Sequence, residues 1–301
     1  MLRVLANDGL EISAVNEIEA NGIQIETNHF DKEDLITNIA DYDVLVVRSA
    51  TKVTSEVLDA GIKGKLKLVI RAGVGIDNID SVHARKIGVE VKNTPNASSN
   101  SVAELALGHM FSVARNIGIA NYTMRNGKWN KKQYKGNEIA GKTLGIIGMG
   151  RIGRSLAEKS EALGMKILYT DIFGKQDNLS YEFMDLDNLL MSSDYISLHI
   201  PYDKNKGPVI GKREIGIMKD GAIIINCARG KVVDEKALLD GLNSGKIAAA
   251  GIDVFEEEPT NNMELIIHSK VSVTPHIGAS TDEAQERIGK EVASIIINFN
   301  K

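Results

Sequence analysis

TLGIIGMGRIGRSLAEKSEALGMKILYTD, residues 143–171, is the stretch from which the rest of the fold can be read. Residues 143–147 form a short apolar run, the pattern of a strand buried on both faces of a parallel sheet. Gly148, Gly150 and Gly153 follow at the spacing G-x-G-x-x-G, with Arg151 and Ile152 between the last two. Residues 151–163 then carry helical periodicity that Gly164 stops, and a second apolar run, 166–170, ends at Asp171. Strand, glycine turn, helix, strand and terminal acid in that order predict a dinucleotide-binding crossover. Gly148 permits the tight turn, Gly150 keeps side-chain bulk away from a pyrophosphate, and Gly153 lets helix and strand pack closely, while the helix N-terminus offers unpaired N–H groups. Asp171 is placed to accept bonds from ribose hydroxyls. Its charge would repel a 2′-phosphate, and Ile172, Phe173 and Gly174 supply no arginine to bind one, so the expected cofactor is NAD and not NADP.

A chain of 301 residues exceeds what one core usually serves, and two domains are expected. The formal net charge of -4 arises from interspersed acids and bases, which is not the single-sign field a nucleic-acid partner needs. The exception is a local cluster at Lys128, Lys131, Lys132 and Lys135. Cys227 is the sole cysteine, which excludes an internal disulfide and a thiolate-rich metal site and fits a cytoplasmic protein. The opening MLRVLANDGLEIS is polar too early for a signal peptide, and no run of apolar residues is long enough to span a bilayer. Neither membrane nor metal is expected.

Upstream of the glycine turn, strand patterns at 3–6, 23–26, 44–47, 68–71 and 89–92 alternate with helical patterns at 11–20, 32–39, 54–60 and 78–86. That alternation predicts an open α/β sheet covered on both faces, with ligands beyond the carboxyl ends of its strands. Two loops qualify: Arg48-Ser49-Ala50-Thr51, and the run 72–77, in which glycines at 73 and 75 expose backbone N–H groups to an anion. Arg48, Ser49, Val74 and Gly75 are thus candidate substrate contacts. Asn93-Thr94-Pro95-Asn96 reads as a boundary. After it, Val102, Leu105, Ala106, Met110, Val113 and Ile117 share one face of a single long helix reaching towards residue 127. Residues 126–139 form a polar, exposed excursion with the only tryptophan, Trp129; its lysines, Lys131 and Lys132 among them, are candidates to reach a partner subunit's substrate.

Downstream, the alternation continues and delivers polar groups at successive strand ends. The strand at 195–198 runs into His199-Ile200-Pro201, the strand at 222–226 into Cys227-Ala228-Arg229-Gly230, the strand at 248–252 into Asp253, and the strand at 271–274 into Pro275-His276. Helices are expected at 186–191, 213–218 and 235–243, and a last one at 280–300 whose apolar second half can return to the first domain. Moving hydride to a carbonyl needs a proton donor at the oxygen and a cation to polarise it. His276, between a strand end and the flexible Ile277-Gly278-Ala279, is the acid–base candidate. Arg229 offers a planar fork that can clamp a 2-oxo acid bidentately. One of the acids Glu256, Glu257 and Glu258 can orient the histidine. Asp253 can accept from a nicotinamide amide, and His199, Pro201, Ala228, His276 and Gly278 are candidate neighbours of the same cofactor. Cys227 reads as a packing residue beside the ring, since no base stands near it in sequence. His29, His83, His109 and His268 read as structural or surface residues.

The segments RAGVGIDNID, NTPNASSNSVAELALG, GKTLGIIGMGRIG, GAIIINCARG, GIDVFEEEP and TPHIGAS, in that order, are similar to the successive signatures of the D-isomer-specific 2-hydroxyacid dehydrogenases. The resemblance covers nearly the whole chain. It implies a catalytic trio of Arg229, Glu258 and His276, the glutamate being the one before the proline. It also implies a flavodoxin-like substrate domain (1–97 plus 281–301) into which a Rossmann NAD-binding domain (98–280) is inserted, both doubly wound parallel-sheet domains, and homodimers built through the nucleotide domains. Within the family, VVRSATKVTSEVL and RNGKWNKKQYKGNEIAGKTLGIIGMGRIGR resemble the branch that oxidises 3-phospho-D-glycerate to 3-phosphohydroxypyruvate at the entry to serine synthesis, here as a short form without the regulatory module. Ala50 stands where some of that branch carry a second arginine. Two other readings remain open: a reductase of unphosphorylated pyruvate, glyoxylate or hydroxypyruvate, and an NAD-sensing module that binds proteins.

Overall fold

The computed structural model of the protein describes residues 1–300 and divides them into two compact units, Met1–Ser98 with the segment from Ala279 onward, and Ser99–Gly278. The first unit runs β1 (Arg3–Ala6), α1 (Ile12–Ala20), β2 (Gln24–Glu26), α2 (Lys32–Asn38), β3 (Val44–Val47), α3 (Ser55–Ile62), β4 (Leu68–Arg71), α4 (Ser81–Lys86) and β5 (Glu90–Asn93). Its strands are all parallel in the order β2-β1-β3-β4-β5, the flavodoxin-like arrangement. Helices cover both faces, so Val44 to Val47 are buried without alternation. Helix α4 starts at Ser81, later than its periodicity suggests, because the Asp80 carboxylate accepts from the His83 N–H and caps it there.

The second unit contains α5 (Ser99–Arg115), α6 (Ile117–Arg125), β6 (Thr143–Ile147), α7 (Arg151–Ala162), β7 (Lys166–Thr170), β8 (Glu182–Phe183), α8 (Leu186–Ser192), β9 (Tyr195–Leu198), α9 (Lys212–Ile217), β10 (Ala222–Asn226), α10 (Glu235–Ser244), β11 (Ile247–Ile252), α11 (Met263–Ile266) and β12 (Val271–Val273). Its parallel sheet has the order β12-β11-β10-β9-β6-β7-β8, with the reversal of winding between β6 and β9. The last helix, α12 (Asp282–Phe299), belongs to the first unit. Its Ile288, Val292 and Ile296, one turn apart, pack with Val4, Ala14 and Ile18, and each such burial stabilises by about 1.5–3 kcal/mol. A Cβ on Gly289 would stand 2.9 Å from the Ala14 Cβ, so α1 and α12 approach this closely only over a glycine.

Two sequence expectations are corrected. The single long helix is two, broken at Asn116, whose φ of 58° is left-handed; asparagine tolerates that conformation better than most residues. Helix α5 buries Val102, Ala106 and Met110, whereas α6 buries none of its residues, so the apolar periodicity outlived the helix that carried it. The edge strand β8 was not expected at all. Two residues give no periodic signal; Phe183 is placed there by its edge-to-face contact with Tyr169, 5.5 Å between ring centres. Among the described residues no helix is long and apolar enough to cross a membrane.

Candidate active site

Strand register lines up the candidate residues of the second unit. Thr170, Ile147, Leu198, Asn226, Ile252 and Val273 are partners across six neighbouring strands. The next residue on each, Asp171, Gly148, His199, Cys227, Asp253 and Thr274, therefore falls along one edge of the sheet, where ligands of such sheets bind.

At the glycine turn the fit to a dinucleotide can be tested atom by atom. Gly148 has φ 96°, and a Cβ there would lie 2.6 Å from the His199 carbonyl oxygen. A Cβ on Gly153 would lie 2.3 Å from the Gly148 oxygen, whereas Gly150 has nothing within 4 Å on its Cβ side. Two glycines thus close the turn, and the third keeps open the side a pyrophosphate would approach. Gly150 caps α7 without a side-chain bond, leaving the helix N–H groups available to an anion. A cleft of about 510 Å³ opens between Gly150, Arg151, Asp171 and Phe173. Asp171 is held at its edge by the Met149 N–H (2.8 Å) and the Phe173 N–H (3.0 Å), which leaves acceptor capacity for ribose hydroxyls. Arg154 also lines the cleft, but its Nε donates to the Met149 carbonyl and its Nη2 to the Gln176 side chain. The residues present fit NAD.

Four strands further along, after β12, lies the histidine expected to do proton chemistry. Asn226, 1 % exposed, shapes the loop after β10: its side chain accepts from the Ala228 N–H (3.1 Å) and donates to the Arg229 carbonyl (2.9 Å). Arg229 Nη1 donates to the Ala228 carbonyl. A Cβ on Gly230 would lie 1.7 Å from the Phe255 carbonyl oxygen, so the loops after β10 and β11 touch backbone to backbone. The second of these loops carries the acids, and each of two has its own place. Glu256 and Glu235 each accept from the other's backbone N–H at the start of α10. Glu258 accepts from the Phe255 N–H (3.1 Å) and, through Oε2, from His276 Nδ1 at 2.6 Å. Burial alone would raise the Glu258 pKa; the His276 bond and charge, the Phe255 N–H and the Arg229 charge outweigh it and hold the carboxyl below its usual range. An ionised Glu258 fixes the proton on Nδ1 and leaves Nε2 to face a reactant. His276 itself has φ 56°, a left-handed backbone that a non-glycine residue keeps only where its surroundings impose it.

The other candidates divide. Asp253, 1 % exposed, is engaged from inside: Thr274 Oγ1 (2.6 Å), the Ile277 N–H (2.8 Å) and the Gly278 N–H (3.0 Å) donate to its carboxylate. Its main contribution is to the His276 loop, with little acceptor capacity left for an amide. The His199 side chain is turned inward, Nε2 on Ser197 Oγ at 2.9 Å and Nδ1 closed off without a partner among the described residues; burial pushes its pKa down to about 4. What borders the glycine turn is its carbonyl, and Pro201 beyond it is exposed. Cys227 and Ala228 are buried, and burial, with Asp253 nearby, pushes the thiol pKa far up, as a packing residue requires. Lys131 and Lys132 are exposed beside Trp129.

In the first unit the Arg48–Thr51 loop is shaped by Asp8, which accepts from the Arg48 N–H (2.6 Å), the Thr51 N–H (3.1 Å) and Thr51 Oγ1 (2.6 Å). Thr51, in the loop expected to meet a ligand, is buried and committed to Asp8. Asn78 donates to the Arg48 and Thr51 carbonyls. The Arg48 guanidinium carries no ion pair among the described residues, and Ser49 is exposed. Val74, 36 % exposed, follows Gly73, whose missing side chain makes room for the Arg71 guanidinium.

A dinucleotide turn, an arginine and an aligned glutamate–histidine pair at one sheet edge define an NAD-dependent oxidoreductase. Residues 107–278 match the family model of the D-isomer specific 2-hydroxyacid dehydrogenase, NAD binding domain. The chain is 46 % identical over 98 % of its length to the hydroxypyruvate reductase of Thermotoga maritima, covering 97 % of that protein. It is 45 % identical to the D-3-phosphoglycerate dehydrogenase of Methanocaldococcus jannaschii over 98 % of its own length but only 57 % of that protein's. It superposes on the D-lactate dehydrogenase of Aquifex aeolicus complexed with NAD and lactic acid with a TM-score of 0.86 and 30 % identity, covering 99 % of this chain and 95 % of that one. The chain belongs to the D-isomer specific 2-hydroxyacid dehydrogenases. It is an NAD-dependent enzyme of the 2-hydroxyacid dehydrogenase type.

Proposed function

We propose that the protein interconverts a short, unphosphorylated 2-oxo acid and its D-2-hydroxy acid, with hydroxypyruvate as the substrate to test first. The observation that carries this reading is the 2.6 Å bond between His276 Nδ1 and Glu258, one strand-end loop away from Arg229. Bound NADH supplies the hydride. His276, held by Glu258, gives its Nε2 proton to the substrate carbonyl oxygen in reduction and takes it back in oxidation. Arg229 holds the substrate carboxylate and polarises the carbonyl. The similarity to a hydroxypyruvate reductase of nearly the same length supports the unphosphorylated substrate. So do Ala50, where a second cation would stand, and the commitment of Thr51 to Asp8.

A second reading, oxidation of 3-phospho-D-glycerate for serine synthesis, is favoured by the unpaired Arg48 guanidinium and the similarity to phosphoglycerate dehydrogenases. NADH consumption with hydroxypyruvate, phosphohydroxypyruvate, pyruvate and glyoxylate side by side separates the two. Higher kcat/KM for hydroxypyruvate is the expected outcome, and a clear preference for the phosphorylated acid would replace the first reading by the second. The exposed Ile117, Tyr122, Met124 and Trp129 support a homodimer, to be measured by light scattering.

A further inference from the structure

His109 lies on α5, 163 and 165 residues away in sequence from the side chains it touches. It is 2 % exposed. Its Nδ1 stands 3.0 Å from Ser272 Oγ, and its Nε2 3.0 Å from Thr274 Oγ1. Strand β11 has made room for it: a Cβ on Gly251 would lie 2.5 Å from the His109 Cβ. The Thr274 hydroxyl has one hydrogen, and it points to Asp253 Oδ1 at 2.6 Å. The bond from His109 must therefore be donated by Nε2–H, which fixes the tautomer. Burial, opposed by the nearby Asp253 charge, lowers the His109 pKa, and the Ser272 hydroxyl donates onward to Ser112 Oγ at 3.0 Å.

From Thr274 the chain of bonds continues to the candidate catalytic loop. Asp253 takes the Thr274 hydroxyl and the Ile277 N–H on Oδ1 and the Gly278 N–H on Oδ2, while its backbone oxygen accepts from the His276 N–H at 2.8 Å. Every residue from 276 to 278 is thus tied to one buried carboxylate residue, and that carboxylate is aimed by Thr274. We propose that His109 is a positioning residue for the acid–base loop: by orienting the Thr274 hydroxyl it sets Asp253, and Asp253 holds His276 in its left-handed conformation against Glu258. The inference rests on the reading of His276 as the acid–base group.

The test uses the full chain in four forms: His109→Leu, His109→Gln, Thr274→Val and the double variant His109→Leu with Thr274→Val. His109→Leu should lower kcat for hydroxypyruvate by about five- to a hundredfold, the scale on which a small misplacement of a reacting group acts, while NADH affinity from fluorescence titration changes by less than about twofold. His109→Gln, whose amide can still donate to Thr274, should recover most of the loss. Thr274→Val should reproduce it, and the double variant should be no worse than either single one, because both break the same chain of bonds. Amide hydrogen exchange at Ile277 and Gly278 supplies a readout independent of turnover: both should lose protection in His109→Leu and Thr274→Val. Wild-type kcat and unchanged exchange in Thr274→Val, or additive losses in the double variant, would overturn the proposal; a lowered melting temperature with unchanged kcat in His109→Leu would do the same. Should His276→Ala keep its activity while exchange responds as expected, the acid–base reading fails and the positioning of the loop stands.

Discussion

The two units carry parallel sheets of the same kind, yet the loops at their strand ends are finished differently. In Ser99–Gly278, Glu258 grips the His276 ring, Asp253 grips the backbone of the loop that follows, and Asn226 bends the chain around Arg229. In the first unit, Asp8 and Asn78 hold the backbone of the Arg48–Thr51 loop and Asp8 also takes the Thr51 hydroxyl, while the Arg48 guanidinium and Ser49 are left without such a bond. Proton transfer needs atoms fixed before the substrate arrives. Recognition of a particular acid can wait for it. Under the proposed function, the acid–base step rests on the bond that already fixes Glu258 to His276.

The comparison breaks first at His276. His276→Ala should cut kcat by about 10²–10⁴-fold, as loss of a positioned acid–base group does, with NADH still binding in a fluorescence titration; near-normal turnover would mean that the fixed pair serves structure alone. Arg48→Ala sharpens the other side. Charge-assisted bonds to phosphate contribute roughly 1.5–3 kcal/mol, so kcat/KM for phosphohydroxypyruvate should fall about ten- to a hundredfold while hydroxypyruvate is spared. Equal losses for both acids would make Arg48 part of the loop's architecture. Replacing Asp171 by serine removes a charge near the ribose and should improve the NADP/NAD ratio of kcat/KM by about tenfold, on the order expected for relief of one partly screened repulsion; an unchanged ratio would move cofactor choice elsewhere in the cleft. The smallest effect concerns pH. Because the folded Glu258 pKa lies below its ordinary value, its stabilising contribution is complete above the unfolded pKa of about 4.3 and is lost as pH falls through the lower folded value. Half-exposed as the pair is, the amount should be about 0.2–1 kcal/mol. In urea unfolding between pH 6 and 3, the stability difference between wild type and Glu258→Gln should shrink by this amount as pH falls; a difference that stays constant would remove Glu258 from the pH dependence.

How much of this was legible in the chain itself differs by residue. The glycine turn and Asp171 could be read because their spacing is local and each glycine answers a steric demand that no other residue meets. Arg229 and His276 could be singled out because a strand end is visible as the end of an apolar run. The alignment of Glu258 with His276 joins residues 18 apart, and only the resemblance to a known family chose it among three acids. His109 was read as structural, since a lone histidine in a helix gives no sign of the threonine it will meet across the fold. Asn116 ended a helix that periodicity continued, because apolar residues beyond it remain on the surface. His199 and Thr51 were placed correctly along the chain, but the sequence does not reveal that their side chains turn inward.

Gly230 has a consequence for anyone who would redesign this site. The Phe255 carbonyl oxygen occupies the space of a Cβ at 230, and no rotamer choice moves a Cβ. A combinatorial library spanning residues 228–232 would return glycine at 230 under any selection for a folded product, so the arginine loop cannot be remodelled alone. A workable library must randomise the segment around Phe255 in the same experiment, treating two stretches of chain as a single heritable unit.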